Sequence, residues 1–106
     1  DGSSVTGLFS EHLIQELRIQ KAFVSCSGFS MERGLTEVHL QEAILKRKVI
    51  ESANQVIALL DSTKFGKEDL TSFASVNQIA YLFTDQGISK EWIMKVEEAN
   101  INIELS

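Results

Sequence analysis

Val56-Ile57-Ala58-Leu59-Leu60-Asp61-Ser62-Thr63-Lys64-Phe65-Gly66 is an apolar run that ends, without a spacer, in an acid and then, three residues on, a lysine. The run reads as a buried strand over 55–60, and in open α/β sheets ligands bind at the carboxyl ends of such strands. An Asp there accepts hydrogen bonds from ligand hydroxyls, while a Lys supplies a mobile cation for a phosphate or a polarised carbonyl. Together they suit a phosphorylated polyol. Turn chemistry also favours Asp at a strand end, and a lysine that follows usually points into solvent. The hexapeptide alone therefore leaves structure and function both open.

Outward from this stretch the chain alternates helix and strand. Upstream, Leu8, Phe9, Leu13, Ile14 and Leu17 recur at helical spacing behind Thr6 or Ser10 as caps. Ala22-Phe23-Val24-Ser25-Cys26 reads as a first strand that stops at the turn signal Ser27-Gly28. Residues 28–34 read as a loop. Thr36 is the expected cap of a second helix with Leu40, Ala43, Ile44 and Ile50 on one face. On that helix Glu42 and Lys46 stand at ion-pair spacing, and Lys46-Arg47-Lys48 reads as a solvated face near the negative end of the helix dipole.

Downstream, residues 67–76 read as loop with at most a helical turn. Ile79-Ala80-Tyr81-Leu82-Phe83-Thr84 is a third strand, ending again in an acid, Asp85. Ser89 caps a helix that puts Trp92, Ile93, Val96 and Ala99 on one face, and Ile101-Asn102-Ile103-Glu104-Leu105 alternates as an edge strand does. Strands separated by helices pair in parallel through right-handed crossovers. The expected fold class is α/β, a helix-flanked, mainly parallel sheet of about four strands.

The 106 residues make one domain, and the balance of 10 basic against 15 acidic residues, a net charge of −5, opposes binding of nucleic acid by this surface. A lone cysteine, Cys26, forms no internal disulfide and reads as a small buried apolar residue; His12 and His39 belong to no metal motif. We expect no metal and no cofactor. No apolar run reaches the roughly 18 residues of a membrane span, and residues 1–4 lack the features of a signal peptide, so the chain reads as cytoplasmic.

If the sheet is parallel, Asp61, Asp85 and the Ser27-Gly28 turn emerge on one rim. Asp61 resembles the magnesium-binding acid of phosphate-loop nucleotide hydrolases, but the glycine-rich loop with Gly-Lys-Ser/Thr is missing. No Gly-x-Ser-x-Gly elbow accompanies Ser25, Ser27 or Ser30, and no dinucleotide fingerprint occurs.

The series Lys21-Ala22-Phe23-Val24-Ser25-Cys26-Ser27-Gly28-Phe29, Gly34-Leu35-Thr36, Glu42-Ala43-Ile44-Leu45-Lys46-Arg47, Leu60-Asp61-Ser62-Thr63-Lys64-Phe65-Gly66 and Thr84-Asp85 resembles the C-terminal effector-sensing domain of DeoR-type bacterial transcriptional repressors. The resemblance runs over nearly the whole chain. It implies a sheet domain related to ribose-5-phosphate isomerase and coenzyme A transferases, which senses a phosphorylated sugar or polyol while a separate N-terminal winged helix-turn-helix binds DNA. It carries the Asp-Ser-x-Lys sugar-phosphate motif onto Asp61 and Lys64, with Ser27, Gly28 and Asp85 on the same rim as effector contacts.

Two departures qualify it. The isomerases have an Asp-Gly-x-Asp-Glu type loop where this chain reads Ser27-Gly28-Phe29-Ser30-Met31-Glu32, which leaves no evident base beyond Glu32 for proton abstraction. Sensing is therefore expected over the alternative, a sugar-phosphate isomerase-like enzyme. Such sensors also begin with further strands and a phosphate loop ahead of a segment like Ser4-Val5-Thr6-Gly7. Residues 1–106 are thus expected to be a sensor fragment without the DNA-binding domain and first strands, with Thr6 and Gly7 more suited to capping than to anion contact. An uncovered sheet edge further leads us to expect a homo-oligomer.

Overall fold

The computed structural model describes residues 19–106. The helix expected over 8–17, with Thr6, Gly7 and Ser10, lies outside them. The chain runs β1 (Ile19–Val24), β2 (Gly28–Ser30), β3 (Gly34–Glu37), α1 (Leu40–Glu51), β4 (Ala53–Leu59), β5 (Thr71–Ala74), β6 (Tyr81–Thr84), α2 (Lys90–Glu98) and β7 (Asn102–Leu105). Single 3-10 turns occupy Ser62–Lys64 and Val76–Gln78. The result is a mixed α/β architecture.

Four strands form a parallel sheet in the order β1-β4-β6-β7. Because parallel partners present side chains to the same face, the register aligns Val24, Ala58, Leu82 and Ile103 in one row. This row packs in one core cluster with Ala43 and Ile50 of α1, Val96 of α2, and Phe29, Leu35, Phe73 and Ala74 of the remaining strands. Both described helices therefore cover the same face of the sheet. On the opposite face the register sets Phe23 beside Ile57 and Tyr81, and Leu59 beside Phe83. Ile57 is buried at its centre, whereas Phe23 is 63% exposed and Leu59, Tyr81 and Phe83 are also exposed.

The structure departs from the sequence reading at one end of this core. Residues 28–34 form a hairpin instead of a loop, and Thr71–Ala74 within the expected loop joins it, giving an antiparallel sheet in the order β2-β3-β5. Gly34 makes the hairpin possible: it sits at φ +70°, a left-handed conformation that glycine adopts without a Cβ penalty. Thr36 does not cap a helix. It is fully buried in β3, where its Oγ1 donates to the Gly28 carbonyl (3.1 Å) and accepts from Asp69 N (3.0 Å). Helix α1 starts only after His39, which provides no side-chain cap, and it buries Ala43, Leu45 and Ile50 while Leu40 is exposed. The first strand ends at Val24, leaving Ser25 and Cys26 beyond it. The expected caps and ends of α2 and β7 agree with the structure: Ser89 Oγ accepts from Trp92 N at 3.2 Å, and β7 is a sheet edge.

Candidate functional site

Since β1, β4 and β6 are parallel, the segments that leave them share one rim. Asp61 follows β4 and caps the 3-10 turn: its Oδ1 accepts from Thr63 N at 2.9 Å and also from the Thr63 hydroxyl. Lys64 Nζ lies 3.7 Å from the other oxygen, Oδ2. Hydrogen bonds from Thr63, side chain then backbone, hold the Asp61 carboxyl below the usual range; Lys64 adds to this, and the Asp85 charge nearby opposes it. Asp61 is exposed and Lys64 half-buried beside it.

Asp85 reaches the same place from β6 but is engaged differently. Its Oδ2 accepts from Ser62 N (2.9 Å) and its Oδ1 from Gly87 N (2.8 Å), which clasps the 61–64 turn to the exit of β6. Bonds from Ser62, then Gly87, hold this carboxyl below its usual range. The role is partly structural, with a direct consequence: in Asp85→Ala the Ser62 and Gly87 amides lose their acceptors, and hydrogen exchange at both is expected to accelerate while β4 amides such as Ala58 stay protected. Unchanged exchange at Ser62 would show that the clasp is absent in solution.

Ser27 and Gly28 stand at the exit of β1, with other partners. Ser27 Oγ donates to Glu37 Oε2 at 2.9 Å. Gly28 is buried in β2, and a Cβ on it would lie 2.5 Å from the Lys67 carbonyl oxygen, so glycine is required for the chain after Gly66 to pass. Gly28 thus shapes the site without offering a side chain to a ligand. Glu32, the one acid of the 27–32 turn, lines a separate cleft with Arg47 and Gln78. It does not approach Asp61's turn as a catalytic partner would.

Sequence reasoning missed a buried ion pair beneath this rim. Glu37, 6% exposed, receives Lys46 Nζ on Oε1 at 2.8 Å, and Oε2 takes Ser27 Oγ and Val38 N (3.1 Å). Lys46 Nζ also donates to the Ser25 carbonyl (2.9 Å) and stands 5.2 Å from the centre of the Phe73 ring. Burial pushes the Glu37 carboxyl up, but the bonds from Lys46 and Ser27, the Lys46 charge and the His39 amide outweigh it and hold it below its ordinary value. The expected Glu42–Lys46 pair is therefore replaced by one across elements, and the basic run is solvated only in part: Lys46 turns inward to Glu37, while Arg47 stays exposed and donates to the Ser72 carbonyl. No local pattern signals this pair, because it depends on Glu37 being buried in β3, a short strand that opens on Gly34.

Behind the turn, Phe29, Phe65 and Trp92 pack ring against ring at 5.3–5.9 Å, and Gly66 N donates to the Phe29 carbonyl at 2.8 Å. Cys26 is partly buried; burial pushes its thiol up to about 11, against the pull of Lys46, so it stays protonated and unreactive at neutral pH. Among the described residues no group of three or more His, Cys, Asp or Glu is placed to hold a metal ion. No described helix is long and apolar enough to cross a membrane.

The rim thus carries an Asp-Lys turn beside a second acid, Asp85, and comparison with known proteins gives the family. Residues 1–86 match the DeoR C terminal sensor domain family. The chain belongs to this family. It is 32% identical over 103 residues to the HTH-type transcriptional regulator GolR of Listeria innocua, covering 97% of this chain and 41% of that protein. It is 37% identical over 82 residues to the HTH-type transcriptional repressor GlcR of Bacillus subtilis, covering 74% and 31%. It is 35% identical over 82 residues to the L-fucose operon activator of Haemophilus influenzae, covering 77% and 33%. The chain thus spans well under half the length of these relatives. The family is a sensor-domain family, and these relatives are named as transcriptional regulators or an operon activator, none as an enzyme.

Proposed function

We propose that this domain binds a phosphorylated sugar or polyol, and that binding alters the DNA contacts of a separate N-terminal winged helix-turn-helix in an intact, cytoplasmic repressor. The observation that carries the reading is the Asp61–Lys64 turn at the carboxyl end of the central strand β4, with an exposed acceptor for hydroxyls and a half-buried cation for phosphate 3.7 Å apart. Asp61 holds ligand hydroxyls, Lys64 engages phosphate, and Ser27 and Asp85 border the same rim, with Gly28 giving it shape. The parallel sheet with this strand-end motif supports kinship with the ribose-5-phosphate isomerase and coenzyme A transferase fold. The exposed aromatic face of the sheet supports a larger sensor unit whose earlier strands cover it, or a second copy of the chain.

The test is a thermal-shift panel of sugar phosphates. A ligand at about 100 times its dissociation constant adds roughly 2.7 kcal/mol to stability. In Lys64→Met the affinity for the best binder is expected to fall about tenfold or more, since a charge-assisted contact contributes roughly 1.5–3 kcal/mol. Binding that is indifferent to both Lys64→Met and Asp61→Ala would move the site elsewhere. Conversion of ribose 5-phosphate to ribulose 5-phosphate, abolished by Asp61→Ala, would overturn sensing in favour of catalysis.

A further inference from the structure

Gly87 is exposed, in the loop between β6 and α2, and its φ is not positive, so the backbone there suits an alanine as well as a glycine. At such a position alanine ordinarily stabilises a protein, because it narrows the freedom of the unfolded chain. Here it has no room. A Cβ on Gly87 would stand 2.7 Å from Ser62 Oγ and 2.9 Å from Asp85 Oδ1, both inside van der Waals contact. The need for glycine is thus a matter of close approach and not of backbone conformation.

The two atoms that crowd this space belong to the clasp between β6 and the turn after β4. Asp85 takes Ser62 N on Oδ2 (2.9 Å) and Gly87 N on Oδ1 (2.8 Å), and the Ser62 side chain adds a bond of its own to the carboxylate. Neither neighbour retreats without loss: Ser62 surrenders its side-chain bond, and Asp85 pulls against two amides. Ser62 opens the 3-10 turn that Asp61 caps and Lys64 closes, so its place sets where the lysine stands against the Asp61 carboxylate, 3.7 Å away. We infer that Gly87 is a positioning residue for the Asp61–Lys64 turn: by carrying no side chain it lets Ser62 and Asp85 meet, and that meeting fixes the acid and the cation presented to the effector. The inference rests on the effector reading above and extends it to a residue that acts only through its neighbours.

Gly87→Ala tests it against the tightest wild-type binder among glucose 6-phosphate, fructose 1-phosphate and glucitol 6-phosphate. Affinity is expected to fall about tenfold, close to the loss of one charge-assisted contact, as the turn moves out of place. Two further readouts separate positioning from a general loosening of the fold. The Asp85 carboxyl, followed by carbon NMR through acid pH, is expected to titrate nearer its ordinary value of 3.8 in the variant, because the bonds that hold it lower are weakened. Removing the Ser62 hydroxyl takes away the nearer obstruction and leaves Ser62 Cβ at an ordinary 3.5 Å from the added carbon. Gly87→Ala/Ser62→Ala is therefore expected to bind within about twofold of Ser62→Ala alone, without the two losses combining. Affinity within about twofold of wild type in Gly87→Ala overturns the inference and leaves the sensor reading intact. So does a loss of affinity with the Asp85 titration unmoved, or losses that add in the double variant. A wild-type chain that binds none of the three overturns both.

Discussion

Lys46→Met is expected to destabilise the domain by about 3–5 kcal/mol, the cost of stranding one partner of a buried ion pair. Methionine keeps the apolar stem over Phe73 but leaves Glu37 with a charge that Lys46 alone was positioned to balance among its hydrogen-bonding partners. For a domain of this size each kcal/mol moves the midpoint by roughly 4 °C or more, so the melting temperature drops by over about 10 °C. The pH dependence separates this cause from lost packing. In wild type the Glu37 carboxyl is held below its ordinary value of 4.5. Its stabilising contribution is then complete above that value and is lost as pH falls through the lower folded one. In Lys46→Met burial acts with less opposition and pushes Glu37 upward, so the variant is penalised most where Glu37 must be ionised. The gap between the two melting curves is therefore expected to narrow as pH falls, from the raised Glu37 value of the variant down through the lowered wild-type one, a range that includes 4.5. A gap that stays constant across that range would assign the loss to packing instead.

The contrast between Lys46 and Asp61 shows what a sequence of this kind discloses. Strand β4 is legible because Val56 to Leu60 is an unbroken apolar run, and its polar end puts Asp61 and Lys64 at the carboxyl end of that strand, as in the structure. Helix α2 was legible from Ser89 and the spacing of Trp92 and Val96. Sheet β2-β3-β5 was not, because its strands have three or four residues and two of them begin with glycine, a residue read as punctuation. Missing β3 made Thr36 look like a helix cap, since both roles use the same hydroxyl to meet a backbone group. It also left Lys46 facing solvent in the reading, whereas tertiary structure brings Glu37 to it from nine residues away. Local pattern cannot register such a pair. Thr84 shows the same limit from the other side: a threonine that closes an apolar strand reads as a good strand former, and only packing shows that its hydroxyl is unmatched.

Phe29→Ala is expected to cost about 3–5 kcal/mol and to disturb the Asp61–Lys64 turn from behind. Phe29 is fully buried, and its ring is shared with Phe65 at 5.5 Å and Trp92 at 5.9 Å, so truncation removes transfer energy, opens a cavity and ends two aromatic contacts. Phe29→Leu, which fills most of that space, is expected to lose only about 1–1.5 kcal/mol. The position matters for function because the segment after β4 is anchored at two places. Ser62 is held by Asp85, whereas Phe65 and Gly66 rest on Phe29, through ring packing and through the Gly66 N–H donated to the Phe29 carbonyl. Removing the ring loosens the second anchor and leaves the first. Hydrogen exchange is therefore expected to speed up at Gly66 in Phe29→Ala, with Ser62 still protected, and the affinity for a sugar phosphate to fall further than in Phe29→Leu because Lys64 sits between the two anchors. If Gly66 kept wild-type protection in a folded Phe29→Ala protein, the aromatic cluster would be ordinary core and the turn would owe its shape to Asp61 and Asp85 alone.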